Sequence, residues 1–437
     1  MSTLKDSLAP IAIRGRILSF DTDPVPSKDN SYTYIEKGIV LIDGGYITAV
    51  GENIRIPEEA KIIDYGDYLI CPGFIDAHVH YPQINIIASY GEQLLEWLKK
   101  YTFPEESRFS DKKFALSVAS FFLDELIKNG VTTASVFCTS HPNSVDAFFE
   151  ESSKRDLRMI AGKVLMDRNA PEGVCDTAHA GYNDSKGLID KWHQNGRNLY
   201  AVTPRFAPTS SPEQLEMAGQ LYSEVDNVYV QSHVSENVAE IEWVKKLFPE
   251  AKTYLEVYQN FNLLGPRSLY GHGIYFSDDD IELVLSTGTG IVHCPTSNLF
   301  MGSGLFELKK MYDAGVSIAL GSDVAGGTSL SPFSVMKGAY EIAQLRGYSL
   351  SPLQAFYMAT LGSSKTLHLD DKIGKLAPGY EADLVVIDLE STSIIKNRLQ
   401  QGAQNLEDLL FAQIILADER SIAATYCNGN ILYQRNT

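Results

Sequence analysis

Ile70-Cys71-Pro72-Gly73-Phe74-Ile75-Asp76-Ala77-His78-Val79-His80 is the stretch on which the reading of this chain turns. An apolar run breaks at Pro-Gly, resumes as a short strand and finishes with two histidines two positions apart. Side chains alternate across a strand, so residues two apart share a face. Both imidazoles therefore leave the end of one strand in the same direction, as a pair of nitrogen ligands suited to a divalent metal, zinc above all. An HxH pair alone is a weak signal, and its weight depends on what the rest of the chain places beside it.

Downstream of this strand the chain alternates short apolar runs with longer amphipathic ones. Strands are expected at Phe74–His78, Thr132–Phe137, Arg158–Leu165, Leu199–Thr203, Val228–His233, Ser268–Gly271, Gly290–His293 and Val316–Gly321. Eight such units mark a parallel α/β protein and fit a (β/α)8 TIM barrel over residues 70–368. A doubly wound sheet is the alternative, but no GxGxxG follows the first strand. Upstream, Ile11–Leu18 reads as a strand and Gly38–Gly51 as a hairpin turning at Asp43-Gly44-Gly45. The end of the chain reads alike, at Ala382–Asp388 and Ala423–Tyr433. Residues 1–69 and 369–437 are expected to pair into a small composite β-sandwich, with the barrel inserted between its halves.

Bulk properties narrow the class. The chain has 437 residues, 44% hydrophobic and 21% charged, with a formal net charge of −18. This acidity and the lack of a basic stripe exclude nucleic acid as the main partner. No segment is apolar and long enough for a membrane span, and Met1–Asp6 lacks the features of a signal peptide. Five cysteines, at 71, 138, 175, 294 and 427, without CxxC spacing, read as reduced thiols in a cytoplasmic protein.

A barrel of this kind carries its chemistry at the C-terminal ends of its strands. Strand one ends in His78 and His80, strand five in His233, strand six in His272 and strand eight in Ser322-Asp323. Taken singly, His233 or His272 reads more readily as a structural histidine; the joint occurrence at four strand ends is what points to a metal centre. His141, His179, His193, His293 and His368 fall elsewhere and are read as structural or surface residues.

This set resembles the metal-site pattern of the amidohydrolase superfamily, and Lys375–Leu384 resembles that superfamily's entry into the C-terminal half of the β-sandwich. The resemblance implies metal ligands at His78, His80, His233 and Asp323, with His272 beside them. Members with two metals bridge them by a modified lysine at the end of strand four. Here that position reads Val202-Thr203-Pro204-Arg205-Phe206, and Lys163 lies on strand three, so one ion per subunit is implied, zinc or else Fe2+. Glu236, three residues after His233, resembles the proton-carrying glutamate of the superfamily's deaminases.

Longer segments resemble the guanine deaminase family. They are His80–Gln83, Ser89–Leu98, Tyr101–Glu105, Pro204–Thr209, Ser232–Asn237 and His293–Asn298, with Ser210 standing where relatives often carry Cys. The resemblance implies catalytic roles for Glu236, His272 and Asp323. It implies a purine pocket in which Arg205 donates to a carbonyl, Gln83 both donates and accepts, and Phe206 and Trp97 wall the ring. A homodimer acting on guanine is implied. The rival readings are a deaminase of another amino-heterocycle (pterin, triazine, cytosine or an adenine-like ring) and a non-enzymatic interaction protein on the same scaffold. The other zinc deaminase signature, HxE with PCxxC, is absent.

Overall fold

The structure is a computed structural model that describes residues 9–25, 29–91, 93–403 and 405–436. Met1–Asp6, the stretch without signal-peptide features, and Glu92, within the segment Ser89–Leu98, lie outside the described residues. Sixteen strands are described. Four precede the barrel: β1 (Ile11–Phe20), β2 (Tyr32–Asp43), β3 (Tyr46–Gly51) and β4 (Lys61–Pro72). The barrel region carries β5 (Phe74–His80), β6 (Val131–Phe137), β7 (Arg158–Gly162), β8 (Val164–Leu165), β9 (Leu199–Pro204), β10 (Tyr229–Val234), β11 (Ser268–His272), β12 (Gly290–His293) and β13 (Ile318–Leu320). The chain ends in β14 (Leu384–Ile387), β15 (Ile422–Cys427) and β16 (Asn430–Gln434).

Strands β5, β6, β7, β9, β10, β11, β12 and β13 pair in that order, all parallel, with the two-residue β8 also on β9. These strands are buried on both faces, which is why they read as continuous apolar runs rather than alternating ones. The ring is drawn together where the chain leaves β13. Asp323 N–H donates to the His78 carbonyl at 2.8 Å, and His80 N–H donates to the Val324 carbonyl at 3.0 Å. The eight-stranded parallel barrel expected from the strand pattern is thus present.

The terminal strands form a second, mixed sheet in the order β16-β15-β14-β4-β1-β2-β3. Segments from the two ends of the chain meet along β4 and β14, where Ile70 faces Val386 and Cys71 faces Val385. Both flanks bury onto one core, which includes Ile13, Ile17, Val40 and Ile70 from the first half and Leu384, Val386, Ala424 and Tyr426 from the second. The predicted hairpin turns at Gly44-Gly45, whose φ values of +57° and +90° are those of a tight turn that glycine alone enters freely. β4 runs through Pro72-Gly73 straight into β5, so one stretch of chain serves both sheets.

Three barrel strands differ from expectation by more than one residue at an end, and others by a single residue. The first barrel strand runs on to His80, and the eighth is only Ile318–Leu320. The third divides at Lys163, whose backbone N–H donates to the Tyr200 hydroxyl at 3.2 Å instead of to a neighbouring strand. The Lys163 ammonium is fully buried and paired with Asp176, away from the histidine cluster. No helix among the described residues is long and apolar enough to cross a membrane.

Candidate active site

Strand register fixes who meets whom. On β10 and β11, His233 stands opposite Gly271 and Val234 opposite His272. A side chain at 271 would collide with a ring reaching in from β5, a strand that β11 does not pair with, since a Cβ there would lie 2.5 Å from His78 Cε1. Glycine therefore lets the His78 ring stand upright between strands. His272 and Asp323 take left-handed backbone conformations, with φ of +75° and +50°. Such conformations cost roughly 1–3 kcal/mol each outside glycine and turn a strand-end side chain away from the direction its ladder position would give it.

The result is a tight polar cluster. His233 Nε2 lies 3.2 Å from His78 Nε2 and 3.1 Å from His80 Nε2. Asp323 Oδ1 lies 3.4 Å from His78 Nε2 and 3.3 Å from His80 Nε2. His233 Nδ1 donates to the Arg205 carbonyl at 2.6 Å, since a carbonyl only accepts, and this leaves Nε2 of that ring as a bare lone pair. Ring nitrogens facing one another in this way need a cation between them. Four ligands about 2.05 Å from a tetrahedral ion stand about 3.3 Å apart, which matches all four of these separations. His272 also belongs to the cluster: one donor atom from each of His78, His233, His272 and Asp323 falls within 4.8 Å of the rest. The donor set fits a single metal ion of the zinc type, with imidazole and carboxylate ligands and no thiolate.

Burial, the largest influence, holds His78 below the ordinary histidine value, His80 at about 3 and His233 well below it, so all three rings are neutral and ready to ligate. Burial alone would raise Asp323, but its contacts with His78 and His80 outweigh it and hold the carboxyl well below its ordinary value. The opposite holds at Glu236, which burial and the charge of Asp323 push up to about 8 against the opposing hydrogen bond from Ser303. Glu236 Oε1 accepts from Ser303 Oγ at 3.0 Å, and its Oε2 lies 3.4 Å from His272 Nε2. His272 Nδ1 pairs with Asn298 Oδ1 at 3.0 Å, while His272 Nε2 has no hydrogen-bond partner among the described residues.

A cavity opens onto the cluster. Every residue anticipated for substrate contact lines it, Gln83, Trp97, Arg205 and Phe206, together with His80, His233, Glu236 and Asp323. His78 and His272 stand behind this lining, both buried. Apolar walls come from Leu94, Trp97, Leu98, Phe206 and Met301. Of the histidines set aside, His293 is buried and stacked on Phe306 at 4.5 Å, outside the lining. Several members of the site carry no strong signal in the chain. Phe137, at the end of β6, packs against three histidine rings at 4.5 to 4.8 Å. Asp76 accepts from Ser322 N–H at 2.9 Å and from its hydroxyl, securing the loop that carries Asp323. Ser303 and Asn298 hold Glu236 and His272, and Glu106 stands behind Arg205. Only Asn298 falls in a segment that the family resemblance marked.

Comparison with known proteins agrees with this geometry. The sequence matches the amidohydrolase family over residues 69–432. It is 47% identical to guanine deaminase of Escherichia coli over 407 residues, 92% of each chain. It is 33% identical to guanine deaminase of Homo sapiens over 386 residues, 85% of this chain and 84% of that one. Among solved structures, E. coli guanine deaminase superposes with a TM-score of 0.95 at 45% identity, covering 98% of this chain and all of that one. Guanine deaminase from C. acetobutylicum, with guanine bound in its active site, superposes with a TM-score of 0.87 at 31% identity over 97% of this chain and 100% of that chain. With the histidine–aspartate cluster at the strand ends, these matches over nearly the whole length place the chain in the amidohydrolase family.

Proposed function

We infer that this protein hydrolyses guanine to xanthine and ammonia, with one zinc ion held by His78, His80, His233 and Asp323. The observation that carries the reading is the pairing of a ligand-ready histidine cluster with a buried Glu236 on the wall of one cavity, beside Gln83 and Arg205. A relative 47% identical over 92% of this chain bears that activity in its name. Fe2+ suits the same donors.

The ion, when bound, supplies a Lewis acid that makes water nucleophilic near neutral pH. The remaining work falls to side chains. Asp323 turns Oδ1 toward the histidines and Oδ2 toward His272, so Oδ2 is the atom placed to hold the proton that the attacking water gives up. Glu236, neutral through burial, donates its proton to ring N3 as oxygen adds to C2. C2 then carries both oxygen and amine. Glu236 relays the proton held at Asp323 to the amine, the C2–N bond breaks as the C2 hydroxyl gives its proton back to Glu236 and becomes a carbonyl, and ammonia leaves with both carboxyl groups in their starting states. His272 Nε2, between the two carboxyl groups, aims the water and keeps both in register. Arg205 offers N–H donors to O6, Gln83 meets the adjoining ring edge, and Phe206 and Trp97 flank the plane. Closing the ring in an apolar box strengthens each of these contacts.

The deciding experiment follows guanine absorbance and ammonia release with purified protein, with and without a chelator. Guanine should disappear with matching ammonia, the chelator should stop it, and added metal should restore it. A fully metal-loaded preparation that leaves guanine untouched overturns the reading.

A further inference from the structure

The polar wall of the cavity is held from behind by one carboxylate. Glu106 lies in the short helix Phe103–Ser107 and is completely buried. It does not line the cavity. Its Oε1 and Oε2 each accept from Arg205 Nη1 at 2.9 Å, and Oε1 accepts also from Gln83 Nε2 at 3.0 Å. An ionised carboxylate only accepts, so Gln83 must turn its nitrogen toward it. The amide oxygen then points the other way, where the Ala325 backbone N–H approaches at 3.4 Å. Exchanging the amide oxygen and nitrogen would set oxygen against carboxylate on one side and two donors against each other on the other. Gln83 therefore keeps one N–H and one lone pair, in a fixed order, for whatever fills the cavity. Arg205 engages Glu106 through Nη1 alone. Its Nε and Nη2 donate to no atom among the described residues, and the Phe103 ring lies 5.7 Å from its guanidinium carbon.

We propose that Glu106 is the positioning residue that sets substrate preference, by locking the orientation of the Gln83 amide and freeing the Nε–Nη2 edge of Arg205 for the ligand. The locked pattern suits a purine whose carbonyl adjoins a ring N–H over one with a bare ring nitrogen in that place. The inference rests on the reading of the cavity as a guanine pocket and adds to it the source of its selectivity.

The test compares guanine with 2-aminopurine, which lacks O6 and has no proton on N1, in wild type, Glu106→Gln and Glu106→Asp. The amide of Glu106→Gln brings a donor where only acceptors fit and lets Gln83 turn over. Guanine KM should rise at least tenfold while kcat falls less than threefold. The ratio of kcat/KM for guanine to that for 2-aminopurine should drop at least tenfold. Glu106→Asp keeps the charge at a longer reach; it should keep the wild-type ratio with guanine KM raised severalfold. A purely structural role would scale both substrates alike through kcat. An unchanged ratio in Glu106→Gln overturns the proposal, as does, should that variant not fold, an unchanged guanine KM in Glu106→Asp. A wild type without preference for guanine sinks the pocket reading itself, a distinguishable failure.

Discussion

Two of the places where this molecule buries charge treat it in opposite ways. Where the barrel meets the terminal sheet, Arg158 and Arg197 converge on Glu381 and Asp383. Arg158 Nε donates to Glu381 at 2.7 Å, and Arg197 donates to Glu381 at 3.1 and 2.5 Å and also to Asp383. Every charge there has its partner within the chain. At the other end of the barrel, the Nε2 atoms of His78 and His80 crowd that of His233 at 3.2 and 3.1 Å, and His80 Nδ1 and His272 Nε2 lack hydrogen-bond partners among the described residues. Buried polar groups left without partners are costly, by roughly 1–3 kcal/mol each. A chain that completes one cluster and leaves the other incomplete is holding the second for something that arrives from outside. Here the cluster satisfied within the chain is the structural one, and the cluster of crowded ring nitrogens is the functional one.

Removing the proton carrier gives the largest expected break in this contrast. Glu236→Gln should retain metal, by elemental analysis, and melt like wild type, yet lose roughly 10²–10⁴-fold in guanine turnover. Wild-type turnover would take Glu236 out of the chemistry.

The complementary change strikes the completed cluster. Glu381→Gln leaves two buried arginines short of charge and should cost about 3–5 kcal/mol of unfolding free energy by denaturant titration. Turnover per folded molecule should not change. The acid limb offers an internal check. Against the opposing effect of burial, hydrogen bonds from Arg158 and charge from Arg197 hold Glu381 below its ordinary value of 4.5. A depressed folded value means that this stabilisation is complete above the unfolded pKa and is lost as pH falls through the folded one. Wild type should therefore lose stability below about pH 4.5 more steeply than Glu381→Gln, and parallel curves would show that the pair contributes little.

The smallest effect sharpens the boundary between the two regions. Gly271→Ala places a methyl group 2.5 Å from His78 Cε1 and should tilt that ring with little harm to the fold. Metal affinity should weaken by roughly 10–100-fold, as when ligand supports are removed elsewhere. Undiminished affinity by competitive chelation would mean that the His78 ring need not stand as it does.

Glu236 was legible in the chain, while Glu381 and the role of Gly271 were not, for physical reasons. Strand ends announce themselves: an apolar run stops, and the side chains just beyond it point into the barrel mouth. His78, His80, His233, His272, Asp323 and Glu236 all lie on or just beyond such ends; periodicity lined up the histidines and Asp323, and the family resemblance singled out Glu236. Trp97 sits on a helix with no such marker and was reached only through resemblance, yet it lines the cavity. Glu106 is the instructive miss. It follows Glu105 in a short helix, and an acidic pair in a helical first turn reads as solvated. Glu105 instead pairs with Arg108 and Asn85, while Glu106 is sealed under the pocket. Nothing local separates the two; the difference is made by Arg205, 99 positions away. Asp383 and Glu381 were missed alike, since a buried ion cluster across two sheets has no period.

The hydrogen bonds between Asp323 and His78 and between His80 and Val324 have a temporal meaning as well as a spatial one. They join the first stave of the ring to the segment after the last, so three of the four proposed ligands sit on the seam that closes it. A ribosome making this chain must add more than two hundred residues after His80 before that seam can be sewn. Until then there is no complete cage, and the nascent chain is inert toward its substrate. Competence waits for the closing of the wall, late in synthesis.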